Sequence, residues 1–171
     1  MVTLASVFVL AGCGEEERPV ARQLAEHTCF GIFTPSDLEP LMGAGETVKE
    51  VSPVDVRLTS ARRGATCNVY VDGKGRFIAS ATRQPLEQSF PWNTVGTAPA
   101  PEPLALGDKG IVWDAGARVV LACKGSQDSF GLELMIGGSV EHVASAERRP
   151  LFTGLMKKFV EAAREQTACG V

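Results

Sequence analysis

Apolar residues fall into three patterns along this chain, and each predicts a different element. The first is a largely apolar run from Met1 to Ala11, followed by Gly12-Cys13-Gly14 and three glutamates. The second is strict alternation. Val54, Val56 and Leu58 alternate with Asp55, Arg57 and Thr59, and Cys67, Val69 and Val71 share one side of a second run. Asp72-Gly73-Lys74-Gly75 then reads as a hairpin turn, returning the chain as a strand through Phe77, Ile78, Ala79 and Ser80. The same pattern recurs downstream: Ile111–Trp113, the turn Asp114-Ala115-Gly116, a strand from Arg118 to Cys123, and an alternating strand from Phe130 to Ile136 that Gly137-Gly138 ends.

The third pattern is helical. Leu151, Phe152, Leu155, Met156, Phe159, Val160 and Ala163 form one stripe, while Lys157, Lys158, Glu161 and Arg164 face water, with Pro150 suited to the first helical position. A shorter helix is signalled by Thr34-Pro35-Ser36-Asp37: a capping hydroxyl, a proline at the first position and an acid near the positive end of the dipole. Leu38, Leu41 and Met42 give it an apolar side, Pro40 weakens it and Gly43 suits its end. Strands that alternate cleanly have one covered face, and the helices are the natural cover. The expected fold is therefore α+β, with a mainly antiparallel sheet of about six strands packed by a short N-terminal and a long C-terminal helix.

Between the two runs of strands lies a crossing, residues 84–107, with Pro85, Pro91, Pro99, Pro101 and Pro103. Alternating prolines favour an extended, water-exposed backbone, so no sheet strand is expected there. Phe90 and Trp92 interrupt its polar character and make it the candidate partner-contact surface, or else pin it to the core.

Composition narrows the functional classes. The net charge of −3 and the scattered Lys and Arg give no electrostatic footprint for nucleic acid. Leu10-Ala11-Gly12-Cys13 matches a lipoprotein signal, in which cleavage behind small residues frees Cys13 for a lipid that holds the chain on a membrane. No Lys or Arg precedes Arg18, so the basic start of such a signal is expected upstream of Met1. The expected organisation is a signal peptide over 1–12, a lipidated tether over 13–26 and a single α+β domain over 27–171. The expected location is the outer face of a bacterial cytoplasmic membrane.

Cys29, Cys67, Cys123 and Cys169 remain, an even number that favours two disulfides in an exported chain. Cys67 and Cys123 lie on apolar strand faces, and Cys29 and Cys169 sit at the ends of the helices. The pairing with the shorter crossings is Cys29–Cys67 and Cys123–Cys169; the rival pairs Cys29 with Cys169 and Cys67 with Cys123. No C-x-x-C pair occurs and only His27 and His142 offer imidazoles, so no metal site and no cofactor are expected.

Catalytic motifs are not found: there is no G-x-S-x-G elbow, phosphate-binding glycine loop or H-E-x-x-H helix. Ser139-Val140-Glu141-His142 brings a hydroxyl, a carboxylate and an imidazole within four residues, at a spacing that matches no known arrangement. No catalytic residue is therefore assigned. With its lipobox, an early cysteine before a short helix, a second cysteine on the following hairpin and a C-terminal amphipathic helix, the chain resembles small actinobacterial cell-envelope lipoproteins of unknown function. Arg63-Gly64-Ala65-Thr66-Cys67, Gly107-Asp108-Lys109-Gly110 and Leu155-Met156-Lys157-Lys158 are phrases similar to theirs. The resemblance implies no activity, and by analogy alone a sandwich similar to the Mog1 and PsbP type. The expected function is a membrane-anchored, non-enzymatic binding module whose partner is an envelope protein or small ligand. The alternative is a cell-envelope hydrolase with a site near Ser139–His142.

Overall fold

The computed structural model describes residues 19–88, 100–138 and 142–167. The expected contact residues Phe90 and Trp92, the lipidation residue Cys13, Ser139 and Cys169 lie outside them.

Seven strands form one antiparallel sheet: β1 (Val48–Val51), β2 (Gly64–Val71), β3 (Lys74–Pro85), β4 (Glu102–Pro103), β5 (Lys109–Trp113), β6 (Gly116–Ala122) and β7 (Asp128–Ile136). Their order across the sheet is β1-β2-β3-β7-β6-β5-β4. Each half of the chain thus builds one side, and the halves meet where Phe77–Pro85 pairs with Asp128–Ile136. With helices α1 (Pro35–Met42) and α2 (Ser145–Gln166), the fold is α+β as expected.

Among the described residues the strand count is seven rather than about six, and two strands are not where alternation predicted them. Val54–Thr59 is not a strand. Its backbone bonds go elsewhere: the Asp55 carboxylate takes the Arg57 N–H, Gln166 of α2 takes the Val56 N–H, and the Thr59 N–H donates to Arg62 O. Val56 and Leu58 are nevertheless buried, while Val54 is 93% exposed. The first strand is Val48–Val51 instead. Within the crossing, Glu102-Pro103 pairs with Val112 and Ile111 of β5. Proline is tolerated there because the strand forms the sheet's edge, where a missing N–H interrupts no ladder on its outer side.

One face of the sheet carries the core. Register aligns Ala65, Cys67 and Val69 with Ala81, Ala79 and Phe77, and then with Leu132, Leu134 and Ile136 of β7. Ala117, Val119 and Leu121 of β6 continue the same face. Phe152, Leu155, Met156, Phe159, Val160 and Ala163 of α2 pack with these residues, as do Leu38, Leu41 and Met42 of α1. Phe159 stacks on Phe30 at 5.8 Å between ring centroids and meets Phe33 at 6.2 Å, and Phe33 meets Phe77 edge-on at 5.5 Å.

The start of α1 is as its sequence predicts. The Thr34 hydroxyl accepts from the Asp37 N–H, and the Asp37 carboxylate accepts from the Thr34 N–H. α2 begins five residues before Pro150, which therefore lies inside the helix rather than at its first position. A proline so near the start removes only one bond of the ladder, and side chains pin that turn: Arg148 donates to Val143 O, and Arg149 to Asp114, Glu102 and Ala100 O. Val20–Gln23, expected in the tether, forms a short 3-10 turn whose Val20 and Ala21 are buried in the core.

Candidate functional site

Among the described residues, the least ordinary backbone is at Cys29-Phe30-Gly31. All three residues have positive φ, +48°, +62° and +75°. For a residue with a Cβ this conformation costs on the order of 1 kcal/mol or more, so two in succession need restraint. The neck of the turn is closed by Thr28 and Phe33, which exchange backbone hydrogen bonds of 2.7 and 3.0 Å. Its tip is held from β1 and beyond: the Cys29 N–H donates to Glu50 Oε1 at 2.7 Å and the Phe30 N–H to Ser52 Oγ at 3.0 Å.

Cys29 and Cys67 are joined by a disulfide across Cα atoms 5.3 Å apart, as in the expected pairing with the shorter crossings. Both cysteines are fully buried. Cys123 is also disulfide-bonded, and the expected Cys123–Cys169 pairing falls on a residue outside the described ones. Glu50 Oε1 lies 3.9 Å from Cys67 Sγ, so one carboxylate touches the backbone of one cysteine and the sulfur of the other. Beside this cluster opens a cleft of about 400 Å³ lined by His27, Phe30, Gly31, Glu50, Ser52, Pro53 and Val54. Ser52 is engaged there, donating to Pro53 O at 2.8 Å.

His142 lines a different cleft, of about 340 Å³, together with Ser36, Glu39, Pro40, Val143 and Glu147. Its ring lies over Gly43, where an added Cβ would come within 3.3 Å of Cε1. Ser36 Oγ already shares a 2.9 Å hydrogen bond with Thr34 Oγ1, and among the described residues nothing hydrogen-bonds to His142. The cleft thus gathers an imidazole, two acids and a hydroxyl without the base-to-nucleophile contact that acyl transfer needs.

The sheet face away from the helices is chemically mixed. Alternation puts Asn68, Tyr70, Arg76, Ile78, Ser80, Glu133 and Met135 there, all half-buried. Arg118 and Glu133 pair across β6 and β7. Among the described residues, Nε of Arg76 and Nε2 of Gln84 are buried without a hydrogen-bond partner. At the β1 side this face runs into a cleft of about 410 Å³ lined by Thr47, Val48, Lys49, Val51, Tyr70, Asp72 and Gly73. The floor of that cleft is fixed by Asp72, which accepts from the N–H groups of Glu46 and Thr47 and from the Thr47 hydroxyl. The Thr47 backbone and hydroxyl bonds hold the Asp72 carboxyl below the usual carboxylate range.

Little of this was legible in the sequence. Glu50 is 21 residues from Cys29, and no local motif links them. The one available signal was the pair of cysteines itself, since the partner of a strand cysteine must pass close to the strand beside it. No protein-family model, curated protein or solved structure matches the chain.

Proposed function

We propose that the protein is a membrane-anchored extracytoplasmic binding module, held by a lipid on Cys13, that takes a small ligand on the sheet face away from α1 and α2. The observation that carries the binding reading is Arg76, whose buried Nε has no partner among the described residues and lies on a half-buried face shared with Tyr70. A buried donor left unpaired costs about 1–3 kcal/mol, which an acceptor on a ligand would offset. Lys49 and Val51 in the adjoining cleft suit a ligand with an anionic group beside an apolar or planar part. The lipobox and the disulfide support the location, because disulfides persist outside the cytoplasm.

Two experiments test the reading. Metabolic labelling with a fatty-acid analogue should tag the wild type and not Cys13→Ser; an untagged wild type would refute the anchor. Small molecules from an envelope extract, retained by the body without its first 18 residues, should be lost in Arg76→Met and Tyr70→Ala. Equal retention by both variants would refute the binding face. The alternative, an envelope hydrolase, draws on one observation, that His142 shares its cleft with Ser36, Glu39 and Glu147. Ester hydrolysis abolished by His142→Ala would favour it.

A further inference from the structure

Glu50 is a carboxylate on the covered side of an edge strand, beside two buried sulfurs. Its oxygen and the Sγ atoms of Cys29 and Cys67 all lie within 4.8 Å of one another. The Cys29 N–H uses one lone pair of Oε1, and most of the carboxylate's accepting capacity remains. While the sulfurs are bonded to each other, neither can act as a thiolate ligand. Once they are reduced, two thiols and a carboxylate converge in a site whose sulfurs are fully buried and whose Glu50 also lines the cleft of His27 and Ser52.

We propose that this cluster has a second state, in which reduction of the Cys29–Cys67 bond creates a site for a zinc-class divalent cation. A dithiol reductant delivers two electrons and two protons to the S–S bond, leaves two thiols and becomes a disulfide itself. The incoming cation displaces both thiol protons to solvent and is held by two thiolates and Glu50. Three protein ligands with a water in the fourth position are a usual complement for zinc, and Glu50 is the ligand that lines the cleft. The sulfurs must part to about 3.8 Å, as two zinc–sulfur bonds of about 2.3 Å at a tetrahedral angle require. Without a cation, the reduced site would gather up to three negative charges with little water, so binding and ordering of the turn are coupled.

The site assembles from long range, since its ligands come from the turn at Cys29, from β1 and from β2. It is therefore a test of the native fold as well as of chemistry. The measurement is zinc uptake by the full chain against a chromogenic chelator, before and after reduction by a phosphine, which takes up oxygen from water as it donates the two electrons. Reduced wild type should bind one zinc per chain and the oxidised protein none. The Cys29→Ser/Cys67→Ser double variant, which keeps its other cysteines, should also bind none. Glu50→Gln retains an acceptor for the Cys29 N–H but loses the charge, and should weaken binding about tenfold or more. Zinc should raise the melting temperature of reduced wild type and leave that of the double variant unchanged. Equal uptake by the double variant, unaltered affinity in Glu50→Gln, or zinc held by a chain that circular dichroism shows to be unfolded would each overturn the proposal.

Discussion

Replacing both Cys29 and Cys67 by alanine removes the bridge while leaving the left-handed turn, the Glu50 hydrogen bond and the strand register in place. The two residues are 38 apart in sequence. In the chain-entropy model a crosslink of that span withholds about 13 cal/mol/K from the unfolded chain, or about 4 kcal/mol near 25 °C. For a chain of this size that corresponds to a fall in melting temperature of about 8–16 °C. Urea unfolding in metal-free buffer separates this effect from damage to the native state. The midpoint should fall while the slope rises, because an unfolded chain without the bridge exposes more surface. Far-ultraviolet circular dichroism before the transition should be unchanged. A loss under about 1 kcal/mol with the fold retained would refute the reasoning, since it would mean that the bridge constrains little of the denatured ensemble.

Three further outcomes are expected. Phe159→Ala removes the ring that joins Phe30 and Phe33 to α2 and should cost about 3–5 kcal/mol in urea unfolding; a cost below about 1 kcal/mol would show that the aromatic cluster is dispensable. Gly45→Ala places a Cβ 2.2 Å from Val71 Cγ1 and 2.9 Å from Asp72 Oδ2, so it should destabilise by about 1–3 kcal/mol, and an unchanged melting temperature would show that the strand end can move aside. Burial pushes the Asp37 carboxyl up, but hydrogen bonds from Lys158 and from the Thr34 N–H and hydroxyl outweigh it and hold the group below its ordinary value. A depressed folded-state value means stability present above the unfolded value, about 4, and lost as pH falls through the folded one. Lys158→Met should therefore flatten the acid loss seen in melting temperature against pH, and an identical profile would refute the link between α1 and α2.

Much of the architecture was readable because local signals agreed with one another. Asp72-Gly73 has positive φ at both residues, as a tight hairpin requires, and Thr34 with Asp37 forms the expected cap. Val54, Val56 and Leu58 misled because burying alternate side chains does not require a ladder. A loop tied by Asp55 and Gln166 buries Val56 and Leu58 equally well. Val48–Val51 was overlooked because Val-Lys-Glu-Val does not alternate, and its Glu50 faces inward for a reason that lies at Cys29. Pro103 was read as excluding a strand, which holds in a sheet's interior and fails at its edge.

The sheet order has a consequence for how the polypeptide could be divided. Everything from β1 to β3 lies on one side of the Phe77–Pro85/Asp128–Ile136 seam, and everything from β4 to β7 on the other. A chain ending at Gln88 and another beginning at Ala100 would each present one long bare strand edge, and each edge is the template for the other. Expressed apart, the pieces should be insoluble; expressed together, they should recover as one soluble pair. The molecule would then be a naturally bipartite complementation system, in which recovery of the pair reports that two fragments have met.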